Sequence, residues 1–135
     1  MKRIMARCAF LRSMVALALV VGCGGNDATA PRYQPQVTNV ANSFAFQVTG
    51  LQSVTDELLY TWRNDGTTAN VNQSPAGLRG TASLVVTDAG GRQVYSRALT
   101  ENGTFVTSAG TAGNWTLRVK FTNASGTSNF SLQRP

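Results

Sequence analysis

The chain has no histidine. That removes the commonest general base, the commonest zinc ligand and every Ser-His-Asp arrangement. Only two cysteines occur, Cys8 and Cys23. Beyond residue 23 there is therefore neither a disulfide nor a thiol nucleophile, and the fold there must hold by its core alone. Charge is scarce, at 13% of residues. Lys2, Arg3, Arg7 and Arg12 account for four of the twelve basic residues, which leaves eight against six acids and a net charge of +2. Those eight are scattered, and a nucleic-acid partner would call for a clustered basic face. No Gly-x-Ser-x-Gly elbow occurs, so the usual serine nucleophile lacks its turn. A serine–lysine pair would have to use Lys120, which lies on the polar side of a well-alternating run. No window sustains a 3.6-residue period and no repeat of fixed length is present.

What is present begins with a basic leader free of acids, followed by an apolar run from Met14 to Val21. A membrane span needs about 20 apolar residues, so a short run behind a positive flank reads as a secretion signal. The run ends in Val20-Val21-Gly22-Cys23. This tetrapeptide resembles the lipobox of bacterial lipoproteins. The resemblance implies cleavage before Cys23 and acylation of its sulfur and of its new amino group. The cysteine is required because a thiolate is the nucleophile that takes up the lipid. It also implies a bacterial cell-envelope location with the membrane as partner, the lipid on Cys23 being the contact. Gly24 is not the aspartate that commonly retains such proteins in the inner membrane, which favours the outer membrane or cell surface.

Residues 24–36 hold Gly-Gly-Asn-Asp-Ala-Thr-Ala-Pro and a second proline, Pro35, with no strand or helix period. They read as a flexible tether with a reach of about 20 Å. The expected organisation is a signal peptide over 1–22, a lipidated cysteine and tether over 23–36, and one domain over 37–135. Tyr33 falls in the tether and carries no expected role.

From residue 37 onward, short alternating runs separated by turn residues predict an all-β fold, an antiparallel β-sandwich of about eight or nine strands. Phe44, Phe46 and Val48 alternate with polar or small residues until Gly50 interrupts them. Leu58, Tyr60 and Trp62 form a second run, closed by Asn64-Asp65-Gly66. Ser74-Pro75-Ala76-Gly77 reads as a turn. Ala82, Leu84 and Val86 lead through Asp88-Ala89-Gly90-Gly91 into a run over 93–99, the pattern of a hairpin. Trp115, Leu117, Val119 and Phe121 alternate strictly with Thr116, Arg118, Lys120 and Thr122. Asn123 to Gly126 then reads as a turn into a last strand with Phe130 and Leu132.

The stretch from Gly80 to Ser96, followed by Gly113-Asn114-Trp115-Thr116-Leu117, is similar to bacterial pre-peptidase C-terminal domains. That resemblance implies a small jelly-roll-like sandwich and a non-catalytic module.

Candidate chemistry is thin. Asp56 and Glu57 are the only adjacent acids and could serve a carboxylate hydrolase, though a charged turn is the simpler reading. Asp88 in its glycine turn could join loop carbonyls around calcium or brace the bend by bonding local amides. Tyr60, Trp62, Tyr95 and Trp115 could form a platform for sugar rings; in phase with Leu58 and Leu117, the tryptophans would instead face the core. Loops at 63–68, 74–79 and 88–92 each carry an arginine. Arg63, Arg79 and Arg92, with Tyr95, are the candidate binding residues. The expected function is therefore a non-catalytic envelope lipoprotein without cofactor, binding an envelope protein or a glycan. Carbohydrate binding through exposed aromatics is the alternative.

Overall fold

The computed structural model describes Tyr33–Pro135. The expected signal segment, the lipobox-like tetrapeptide ending in Cys23 and the expected tether up to residue 32 lie outside the described residues. Seven antiparallel strands and no helix make up the described part: β1 (Gln36–Val40), β2 (Ser43–Asn64), β3 (Asn70–Gln73), β4 (Ala76–Thr87), β5 (Gln93–Ala98), β6 (Gly103–Val106) and β7 (Gly113–Gln133). This is the all-β antiparallel class that the alternating runs predict.

The strand count differs from the expected eight or nine because β2 and β7 each run through what the sequence presents as two strands. They pair with one another from Ser43–Gln133 to Asn64–Gly113, with register shifts between Val48 and Asp56. The expected breaks at Gly50 and at 123–126 are bends inside continuous strands. The expected charged turn at Asp56 and Glu57 is likewise strand.

Those bends line up across three neighbouring strands. Gly50 and Ser53 in β2, Asn123 and Gly126 in β7, and Gly77 and Gly80 in β4 all have positive φ. Leu51 is the register partner of Gly126, and Arg79 of Ser125, so the irregular residues form one seam across the sheet. Such bulges bend a strand sharply while keeping it paired on either side. Hydroxyls bond amides along the seam: Ser53 N–H donates to Ser125 Oγ at 2.9 Å and Asn123 N–H to Thr55 Oγ1 at 2.9 Å. Gly80 lies against the Asn123 carbonyl and Gly126 against that of Gly77, so a Cβ at either would overlap the neighbouring backbone.

Folding at the seam produces two half-sheets. The first is β1, β2 up to Val48, the end of β7, β3 and β6. The second is the rest of β2, the start of β7, β4 and β5. Their inner faces meet: the Tyr60 ring lies 5.4 Å from Phe44 and 6.0 Å from Phe46, all three on the same strand. Phe130 stacks on Phe46 at 4.9 Å. Alternation supplies this core, because successive side chains point to opposite faces and one face of each run is apolar. Trp115, Leu117, Val119 and Phe121 are all fully buried, whereas Thr116, Arg118, Lys120 and Thr122 are exposed.

Tyr33 corrects the tether reading. It is buried beneath the seam, its hydroxyl donating to Asp56 Oδ2 at 2.7 Å and its ring edge-on to Phe121 at 6.3 Å. A lone aromatic among proline, threonine and glutamine gives no periodic signal. Only the fold provides the slot that holds it.

Candidate functional site

The loops over 64–69, 88–92 and 107–112 converge at the end of the molecule away from the seam. Each is braced from inside. Asn64 is fully buried, its Oδ1 accepting from Gly66 N–H at 2.9 Å and its Nδ2 donating to the Thr68 carbonyl at 3.1 Å. Thr107 Oγ1 accepts from Ala69 N–H at 3.0 Å and donates to the Ser108 carbonyl at 2.9 Å. Gly110 N–H donates to the Thr67 carbonyl at 2.7 Å.

Asp88 is the centre of this bracing. Its Oδ1 accepts from Gly90 N–H at 3.0 Å and Arg92 N–H at 2.8 Å, and its Oδ2 accepts from Thr111 N–H at 2.8 Å. One carboxylate thereby closes the β4–β5 turn and fastens it to the loop before β7. The amides of Arg92 and Thr111 hold the Asp88 carboxyl below the usual carboxylate range, against the opposing effect of burial. A carboxylate ringed by N–H donors is satisfied as an anion and is poorly placed to ligate a cation. The calcium reading of Asp88 therefore does not fit its surroundings. Among the described residues no group of three or more acids, cysteines or histidines is placed to hold a metal.

Two of the candidate arginines stand at this end. Arg63 Nε meets Asp65 Oδ1 at 2.6 Å, and Asp65 Oδ2 also accepts from Asn42 Nδ2 at 3.1 Å. Bonds from Arg63 and then Asn42 keep the Asp65 carboxyl below its ordinary value. Arg92 is exposed and donates from Nη2 to the Ala109 carbonyl at 3.3 Å. Arg79 is not with them. It lies on the seam beside Ser125, and the expected loop at 74–79 is already strand β4 from Ala76.

Tyr95 is not a surface binding residue. It is 7% exposed, and its hydroxyl donates to Gln73 Oε1 at 2.7 Å, while Gln73 Nε2 donates to the Ala98 and Glu101 carbonyls at 2.9 and 2.8 Å. Burial pushes the Tyr95 hydroxyl up to about 12. Gln73 belongs to the first half-sheet and Tyr95 to the second, so this chain of bonds ties the layers together across the core. The remaining aromatics follow suit. Trp62 and Trp115 are fully buried, and Tyr60 packs on Phe44 and Phe46. No aromatic platform faces solvent among these four rings.

The adjacent acids do not form a carboxylate pair of the hydrolytic type. Asp56 accepts from Tyr33 Oη and from Glu57 N–H, and Glu57 Oε2 meets Arg118 Nε at 3.1 Å across the strand pair. The bracing residues Asn42, Asn64 and Thr107 went unflagged in the sequence. In the sequence Asn64 shows only as part of an Asn-Asp-Gly turn and Thr107 only as the end of a short apolar-containing run, 104–107.

Fold and loop end together define an all-β antiparallel domain of sandwich class with an internally hydrogen-bonded loop end that bears Arg63 and Arg92. No protein-family model matches the chain, and no curated protein matches it.

Proposed function

We propose that the protein is a cell-envelope lipoprotein, held in the membrane by lipid on Cys23, whose β-sandwich is a non-catalytic display and binding module. The observation that carries the display role is the Asp88 carboxylate, bonded to three backbone amides of two loops. Rigid loops bind without first losing their own conformational freedom, which is the benefit of preorganisation. The acids that could attempt hydrolysis are instead committed to structural partners, which also favours a binding role. The lipobox resemblance of Val20-Val21-Gly22-Cys23 supports the anchor. Gly24, which is not the aspartate that commonly retains such proteins in the inner membrane, favours outer-membrane or surface placement.

The test is intact mass and cell fractionation of the native protein beside Cys23→Ser. The reading expects a membrane-bound species beginning at an acylated Cys23, and a soluble, folded Cys23→Ser protein. A soluble, unmodified wild-type product would overturn the anchor.

A further inference from the structure

The outer face of the first half-sheet is built differently from that of the second. Strand register defines its rows. Across the middle run Thr38, Ala45, Ser131, Asn72 and Thr104, one from each of β1, β2, β7, β3 and β6. Toward the loop end the next row is Val40, Ser43, Gln133, Asn70 and Val106. Toward the seam lie Gln36, Gln47 and Asn129. Every one of these residues is exposed or half-exposed. None carries a charge. The outer face of the second half-sheet, by contrast, presents Glu57, Arg63, Arg118 and Lys120.

We infer that this uncharged face is a docking surface for a neutral polysaccharide. A face that stays in water gains solubility from charge, and removing a charge from water on docking is costly unless it is paired. Amides and hydroxyls exchange water for a hydroxylated partner at little net cost, and each remains satisfied. The face offers five strands of such groups, about 19 Å across at the usual strand spacing. Ala45 and Ser131 at its centre keep it flat enough for an extended chain to lie along a row. Asn72 and Thr104 already bond one another at 2.9 Å, which presets the geometry of that pair.

Other occupants fit less well. A nucleic acid needs cationic groups, and the face has none. A protein interface needs a buried anchor, typically aromatic, methionine or arginine. The only exposed large apolar residues of these rows are Val40 and Val106, at 55% and 61% exposure on opposite ends of one row. They are better suited to touching the C–H faces of sugar rings at either end of a bound chain. This site takes no part in the aromatic-platform idea, whose rings are inside. It goes beyond the loop end proposed above by assigning a second surface and its partner class, and it does not depend on the lipid anchor.

The experiment uses the full-length protein in detergent micelles against amorphous cellulose, chitin and mixed-linkage β-glucan, with heparin and alginate as charged controls. Retention on at least one neutral glycan is expected, weakened at least tenfold by Ser131→Arg and by Thr104→Lys. Thr116→Arg, on the opposite outer face, should bind as wild type. Circular dichroism checks the fold of each variant, and Thr104 lies on an edge strand where lysine is tolerated. Retention by none of the neutral glycans overturns the inference, as does wild-type binding by both face variants. A self-associated wild type that Ser131→Arg converts to monomer overturns it too, since the face would then join two copies. Failure of Cys23 acylation would leave these readouts unchanged, so the two proposals fail separately.

Discussion

Trp62 and Trp115 are direct register partners on the two longest strands, their rings 6.0 Å apart and nearly perpendicular. Each indole N–H has an acceptor, the Val40 carbonyl at 3.1 Å for Trp62 and the Thr111 carbonyl at 2.8 Å for Trp115. The pair thus joins β1 and the loop before β7 to the core. Trp115→Ala should cost about 3–5 kcal/mol, the range for large aromatic truncations in a core. Urea denaturation measures it, and a loss below about 1 kcal/mol would contradict the burial. Emission from the native protein should be blue-shifted and resist iodide quenching.

The seam predicts a contrast between glycines. Gly50 has a φ of 68° but open space around its missing Cβ, so Gly50→Ala meets only the left-handed backbone penalty of about 1–2 kcal/mol. Gly80, with a φ of 86°, also lies against the backbone of Asn123 and Ala124. Gly80→Ala should lose at least about twice as much, because backbone must move as well. Equal losses for the two variants would mean that β4 and β7 do not pack closely at the bend.

Much of this fold was legible in advance because period-2 alternation reports the buried face directly. The Trp115 to Phe121 run followed from that rule alone, and the β4–β5 hairpin from alternation in β4 joined to the Asp88–Gly91 turn signal. The rule fails where a bulge resets the phase. Gly50, Asn123 and Gly126 look identical in sequence to the residues of chain-reversing turns, and only pairing with a neighbour decides between a bend and a reversal. Tyr33 and Gln73 were hidden for a related reason: each is held by a partner far along the chain. The uncharged face was hidden because it is spread over five strands, and register is needed to assemble it.

Tyr95 links the two layers, and its titration should be visible in stability. Its hydroxyl is raised to about 12 by burial, and Tyr33 is raised as well, by burial and then by its bond to Asp56. A tyrosine held neutral in the folded state contributes stability that is complete below about pH 10, its unfolded value. That contribution fades as pH climbs from there toward the folded value. Stability should therefore fall on the alkaline side above about pH 10, and Tyr95→Phe should make the fall shallower. At neutral pH the same substitution leaves buried Gln73 Oε1 without its donor, which costs about 1–3 kcal/mol. Denaturation curves across the alkaline range test both points, and an unchanged alkaline slope in Tyr95→Phe would count against them.

Asp88 governs the opposite limb. Its carboxyl is held below the ordinary range chiefly by the Arg92 and Thr111 amides, so its contribution is present above the unfolded carboxylate value near 3.8 and lost as pH falls through the folded one. Asp88→Asn replaces the ionised acceptor with a neutral amide whose nitrogen faces N–H donors on at least one side. The variant should have a lower melting temperature at neutral pH and a shallower loss of stability on acidification. Residual acid sensitivity should remain from Asp65, which Arg63 and Asn42 hold low in the same way. Hydrogen exchange adds a local readout: the Gly90, Arg92 and Thr111 amides should exchange faster in the variant, while those of the β2–β7 ladder keep their protection. Unchanged protection at all three amides would mean that the loops are held by something other than this carboxylate, and the rigid loop end would lose its physical basis.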